Sequence, residues 1–101
     1  MDLKDLIDFI LYNNASELHL NVGKPPALKI AGKLLQSDFE RLAVRDARFL
    51  VYSILTPEQQ AQLEEEHELE LFYTFSNSRK FRVKCLIKDG HVSGEFVLVT
   101  E

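Results

Sequence analysis

Three consecutive segments of alternating polar and apolar residues fill the last third of this 101-residue chain, and they constrain its fold more than any other feature. Residues 68–75, 80–88 and 92–98 each place their apolar side chains on one face of an extended strand, because successive strand side chains point to opposite faces. A turn centred on Asn77 and a second turn at Asp89-Gly90 would connect the three strands. The segments together predict an antiparallel meander.

The two turns also predict the register of this meander. The turn centred on Asn77 places Leu71 opposite Val83, and the Asp89-Gly90 turn places Val83 opposite Phe96. Both turns set apolar residues against apolar residues, a match that a slip of one residue would destroy. The register is therefore part of the prediction.

The first two thirds of the chain predict two or three helices. Asp2 caps the first, and a second begins at Val44, where apolar residues recur at helical spacing. Thr56 and Pro57 begin a third through a capping box. In that third helix we expect Ala61 and Leu63 to face the core.

Short strands alternate with these helices. Residues 16–22 alternate as a half-buried strand, and residues 27–30 and 34–35 predict two more around a tight turn. The prediction is an α+β fold, an antiparallel sheet of about six strands with two to three helices. Residues 1–101 are expected to form a single domain.

Composition argues against several classes of partner. The net charge of −4 argues against nucleic acid, since phosphate binding relies on lysine and arginine. No apolar run approaches the roughly 18 residues of a spanning helix, so we expect no direct insertion into a membrane. A single cysteine, Cys85, fits a reducing cytoplasm.

The sequence contains no motif that is typical of catalysis or metal binding. No phosphate-binding loop of the Walker or G-x-G-x-x-G type occurs. His19, His67 and His91 lie far apart, so a metal site would have to be assembled by tertiary structure. Cys85, opposite Gly94, is interpreted as a packed small hydrophobe. We therefore predict no catalytic residue, no metal ligand and no cofactor.

One predicted strand carries lysines and arginines on its outer face. Lys84 lies between Glu70 and Glu95 in the predicted register, which favours a ladder of cross-strand charge pairs. Lys80 and Arg82 have no acid opposite them. They are therefore available to an anion or to an acidic partner.

Two apolar residues share that outer face. Phe72 lies opposite Arg82 in the predicted register, and Val97 lies on the strand beyond it. If Phe72 and Val97 are exposed, they would form an interface together with Lys80 and Arg82, because an apolar centre with a charged rim is typical of protein interfaces. Covered by a helix, they would instead form a second layer of core.

Several motifs occur in an order that is recognisable. The string A-S-E-L-H-L at residues 15–20 is followed by Gly23 and Pro25-Pro26, and later by E-L-E at residues 68–70 and F-R-V at residues 81–83. In these motifs the chain resembles the N-terminal domain of the PilT family, the type IV pilus retraction and secretion ATPases, without the motor domain. The resemblance runs across nearly the whole chain.

The resemblance implies a PAS-like fold and a cytoplasmic place, peripheral at the inner-membrane base of a pilus. It implies a non-catalytic protein-interaction or regulatory domain in pilus-driven twitching motility or secretion. The expected partner is a pilus or secretion motor ATPase or a second copy of the chain. The alternative is a PAS-like sensor that holds a small molecule within the fold.

Nucleotide contact is also implied by the resemblance, because basic residues of the family's domain reach toward ATP on the motor. The matching positions here are Lys80 and Arg82. Three positions depart from the family pattern: Lys80 replaces an arginine, Lys84 an asparagine and Val97 an arginine. A lysine lacks the bidentate fork of arginine and a valine binds no phosphate. These departures weaken the expectation of nucleotide contact.

Overall fold

Three helices and six strands make up the described part of the chain, residues 2–75 and 78–100 of a computed structural model. The helices are α1 (Leu3–Tyr12), α2 (Val44–Tyr52) and α3 (Pro57–Glu66). The strands are β1 (Glu17–Leu20), β2 (Ala27–Ile30), β3 (Lys33–Gln36), β4 (Glu68–Thr74), β5 (Lys80–Lys88) and β6 (His91–Leu98). The predicted α+β class, strand number and helix number are confirmed.

All six strands join one antiparallel sheet in the order β3-β2-β1-β6-β5-β4. Within the meander, Leu71 pairs with Val83 and Val83 pairs with Phe96, as the sequence predicted. The predicted turn at Asn77 lies outside the described residues. The last strand, β6, then pairs with the first, β1, and sets Phe96 beside Leu18 at the centre of the sheet.

Local capping interactions begin the first and third helices as predicted. The Asp5 amide of α1 donates to the Asp2 side chain at 2.9 Å. Thr56 and Gln59 exchange the two hydrogen bonds of a capping box at the start of α3. The first residues of α1 and of α3 are each determined by side chains within one helical turn, which is why the sequence predicted where these helices begin.

One expectation for α3 is wrong. Leu63 is fully buried, but Ala61 is exposed to solvent. Two residues along a helix differ by about 200° around its axis, so the two side chains cannot face the core together. Burial of the larger leucine determines which side of this short acidic helix faces inward.

The core lies between the three helices and one face of the sheet. The apolar stripe of α1 and the inward residues of the central strands are fully buried, including Leu6, Leu18, Phe81 and Phe96. Among the residues that the structure describes, no polar or charged side chain is buried. The interior is therefore a filled apolar core.

The Gly-x-Pro-Pro segment after β1 anchors a long loop. Strand β1 ends at Leu20, before the predicted Val22, which instead forms an isolated parallel bridge with Leu42. The Gly23 amide donates to the Leu42 carbonyl at 2.8 Å, and the Leu42 amide donates to the Lys24 carbonyl at 3.0 Å. The segment thus fixes the loop that leads into α2.

Gly94 marks the closest approach of α2 to the sheet. A β-carbon added at this position would lie 2.9 Å from Cγ2 of Val51 and 3.3 Å from the ring of Phe96. We expect Gly94→Ala to lower the free energy of unfolding by about 1–3 kcal/mol, because the core there is already full. Thermal unfolding measures the loss.

The steric origin of that loss can be tested with Val51. In the double variant Gly94→Ala/Val51→Ala, the methyl group added at position 94 has room because the Val51 side chain is shorter. The double variant should therefore lose less stability than the sum of the losses measured for the two single variants. Strictly additive losses would contradict the proposed contact between these two positions.

Candidate functional site

The face of the sheet opposite the helices, which we call the open face, carries the residues singled out by sequence. Phe72 on this face is 59% exposed. Among the described residues no helix covers it, so the reading of Phe72 as a second core layer is wrong. Because the helices bury the other face of the sheet, the outward side chains remain accessible to a partner.

The strand register arranges the open face in rows. One row crosses the whole sheet, because each of its members is the register partner of the next: Phe72, Arg82, Val97, Glu17, Lys29 and Leu34. The adjacent row is formed in the same way by Glu70, Lys84, Glu95, His19, Ala27 and Gln36. Both ends of the first row are apolar, and three of its four middle residues, Arg82, Glu17 and Lys29, are charged.

Phe72, Lys80, Arg82 and Val97 meet at the β4 end of the open face. The Lys80 ammonium lies 4.8 Å from the ring centroid of Phe72, a cation–π contact. Arg82 stands between Phe72 and Val97 and makes no ion pair within the part of the chain that the structure describes. The structure therefore brings together the four predicted interface residues.

Lys84 has the expected acidic neighbours in the strand register, but the expected ion pairs are not formed among the described residues. Glu70 and Glu95 flank Lys84 on the neighbouring strands, as predicted. Neither carboxylate forms an ion pair with it across residues 2–75 and 78–100. Glu70 and Lys84 are exposed and Glu95 is half-buried, and all three border a shallow groove of about 210 Å³, where solvent competes with the charge pairs.

The middle of the open face holds a cluster that sequence reasoning missed. One ligand atom each of Glu17, His19 and Glu95 lies within 4.8 Å of the others. Nε2 of His19 is 2.9 Å from Oε1 of Glu17, and the Lys29 ammonium is 3.4 Å from Oε2 of the same carboxylate. The spacing Glu17-x-His19 on a strand could have indicated two members, but not the third.

Hydrogen bonding governs the ionisation of Glu17. The hydrogen bond with His19 lowers the pKa of the Glu17 carboxyl, partial burial opposes this shift, and Lys29 adds to the lowering. Only 18% of the Glu17 side chain and 21% of the His19 side chain are exposed. Glu17 thus presents a stable negative charge in the middle of the open face.

Cys85 lies on the opposite, buried face of β5. Its side chain is fully buried opposite Gly94, as the sequence predicted. Burial raises the pKa of the Cys85 thiol to about 11. The thiol is therefore protonated at neutral pH and serves as part of the core.

None of the helices in the described ranges is long and apolar enough to cross a bilayer. The described residues form an α+β fold in which the helices cover one face of the sheet and leave the other face open. No protein-family model matches the chain.

Known proteins nevertheless resemble it. The chain is 29% identical over 85 residues to the type IV pilus retraction ATPase PilT of Pseudomonas aeruginosa, a match that covers 84% of the chain and 25% of the relative. The chain thus spans about a quarter of the length of this curated relative.

Solved structures agree with that similarity. The crystal structure of the pilus retraction motor PilT with bound ADP superimposes with a TM-score of 0.89 at 26% identity, covering 99% of this chain and 29% of that one. The ATPase DotB of Legionella pneumophila superimposes with a TM-score of 0.75 at 25% identity, covering 97% and 28%.

The class of the domain follows from these matches. In sequence and in fold the chain resembles an N-terminal domain of PilT-family ATPases, and the resemblance drawn from its motifs is confirmed. The matches cover a region of those ATPases that lacks their ATPase core.

The lowered pKa of Glu17 predicts how stability depends on pH. The carboxylate contributes stability above its unfolded pKa, and this contribution is lost as the pH falls through the lower pKa of the folded state. At pH 7 we expect Glu17→Gln to be less stable than the parent by about 0.5–1.5 kcal/mol.

Urea unfolding at pH 7 and near pH 3 measures the stability difference between Glu17→Gln and the parent. This difference should shrink at the lower pH. Glu70→Gln serves as the control, because Glu70 is exposed and without an ion pair in the described parts of the chain. A Glu17→Gln difference of the same size at both pH values would contradict the assignment.

Proposed function

We propose that this chain is a non-catalytic protein-interaction or regulatory domain of a type IV pilus or related secretion motor. It acts in the cytoplasm, peripherally at the inner-membrane base of the machine, and contributes to retraction-driven twitching motility or to secretion. The observation that carries the proposal is Phe72, which is 59% exposed on the open face directly opposite Arg82.

The composition of the Phe72 end of the open face is that of a contact surface. Aromatic residues and arginine are enriched at the centres of interfaces, where they contribute most of the binding energy. Phe72 and Val97 supply apolar area around Arg82, and Lys80 stacks on the Phe72 ring. A partner with an apolar centre and acidic neighbours complements this surface.

The partner that we propose is the motor region of a PilT-type ATPase, on the same or on a separate chain. The matched PilT structure extends far beyond this domain, since the chain covers only 29% of it. In such ATPases a domain of this kind therefore occurs next to a motor region. Self-association through the same surface is the competing outcome.

The sensor alternative has less support. A ligand pocket combines an apolar cavity with a few convergent polar groups. The described core contains no buried polar side chain, and its centre is filled by residues such as Phe81 and Phe96. We therefore favour protein contact over small-molecule sensing.

Substitution of the two central residues tests docking. Phe72→Ser with Arg82→Glu should weaken binding to purified Pseudomonas aeruginosa PilT at least about tenfold, because the aromatic anchor is lost and the charge is reversed. Thermal stability should remain within a few degrees of the parent, since both side chains are exposed. Biolayer interferometry and thermal unfolding measure the two effects.

The matched control is Tyr12→Ser with Arg45→Glu, an exposed aromatic and an exposed arginine on the helical side. This control should bind PilT like the parent. Equal loss in both variants, or unfolding of the Phe72 variant, would contradict docking through the open face. If the parent self-associates in sedimentation experiments and ignores PilT, the partner is a second copy.

Nucleotide binding by this domain alone should be negligible. Lys80 stacks on Phe72, Val97 offers no donor, and the sequence contains no phosphate-binding loop. We expect calorimetric titration with Mg-ATP to give no binding tighter than about 1 mM, and no hydrolysis. Binding in the low micromolar range would contradict the expectation that this domain alone does not bind nucleotide.

A further inference from the structure

The Glu17, His19 and Glu95 cluster has the chemistry of a metal site. Glu17 and His19 lie two residues apart on β1, so both point to the open face. Glu95 on β6 is the register partner of His19. One ligand atom of each residue lies within 4.8 Å of the others. Two adjacent strands thus aim one imidazole and two carboxylates at a common point.

This donor set suits a particular ion. Zn²⁺ is bound by histidine nitrogen and carboxylate oxygen at about 2.0–2.2 Å, which places the donors of one tetrahedral ion about 3–3.5 Å apart. The three ligand atoms, which lie within 4.8 Å of one another, would have to draw together to reach that separation. The mixed nitrogen and oxygen set favours Zn²⁺ over Mg²⁺ or Ca²⁺, which prefer oxygen ligands alone.

The ligands are held in place before any ion binds. His19 and Glu17 are mostly covered, and Nε2 of His19 already lies 2.9 Å from Oε1 of Glu17. Lys29 contacts the other oxygen, Oε2, at 3.4 Å. Because Oε1 of Glu17 and Nε2 of His19 share a hydrogen bond, an ion bound between them would replace the shared proton and release it to solvent.

Space for a fourth ligand lies beside the cluster. A shallow pocket of about 70 Å³ is bordered by His19 and Glu95, by Ser93 and Gly94, and by Asn21, Leu86 and the cationic Lys84. Three protein ligands with one open position that accepts water is a common zinc arrangement.

We propose that Glu17, His19 and Glu95 bind one Zn²⁺ ion on the open face, with solvent as the fourth ligand. The ion would connect β1 to β6, the strand pair that joins the two halves of the sheet. The site lies apart from Phe72 and requires no partner protein. It therefore stands or falls independently of the proposed docking.

Zinc titration of the purified chain tests the proposal. We expect one ion per chain with a micromolar dissociation constant by calorimetry. At a zinc concentration of about 100 times that constant, the melting temperature should rise by about 10 °C or more. Substitution of Co²⁺ should produce the visible absorption of a tetrahedral complex.

Matched variants locate the site. His19→Gln and Glu95→Gln preserve shape and polarity but remove a ligand, so each should weaken zinc binding at least about tenfold. His91→Gln and Glu70→Gln, at exposed positions outside the cluster, should bind zinc like the parent. Circular dichroism verifies that each variant is folded.

Zinc affinity weaker than about 1 mM, or equal losses in the His19 and His91 variants, would overturn the proposal. The Phe72→Ser/Arg82→Glu variant separates this site from docking. It should retain full zinc affinity while losing the partner. Loss of zinc binding in that variant would also contradict a site confined to β1 and β6.

Discussion

The pairing of β1 with β6 is the interaction on which the rest of this structure depends. It joins a hairpin from the first third of the chain to the meander from the last third, and it places Leu18 beside Phe96 at the centre of the sheet. On the inner side, α2 approaches β6 so closely that a β-carbon at position 94 would lie 2.9 Å from Cγ2 of Val51. On the outer side, the same pairing brings Glu95 to His19.

The open face contains two regions of different chemistry, because side chains near the edge strand β4 are exposed while those on the central strand β1 are mostly covered. Near β4, Phe72 and Arg82 are exposed, and Lys80 contacts the Phe72 ring. Toward β1, Glu17 and His19 are mostly covered and hydrogen-bonded to each other. An exposed apolar and cationic edge suits macromolecular contact, whereas a covered carboxylate–imidazole centre suits a small ion.

Local chemistry made much of the fold predictable. Strand alternation and the Asp89-Gly90 turn predicted the meander with its register, and the Thr56 capping box predicted the start of α3, because each signal acts within a few residues. Errors arose where distant packing decides. Ala61 was expected inside and faces solvent. Residues 16–22 were expected to form one strand, but β1 ends at Leu20, and Val22 bridges Leu42 instead.

The sequence by itself determined which side chains share a face, since alternation is a property of the extended backbone. It thereby grouped Phe72, Lys80, Arg82 and Val97 correctly, and its motifs indicated the resemblance to PilT-family ATPases. Only the tertiary structure decided that the helices leave this face open and that Glu95 lies beside His19. Periodicity assigns a residue to one of two faces, but the neighbours of a strand are selected by burial of apolar surface between segments far apart in the chain.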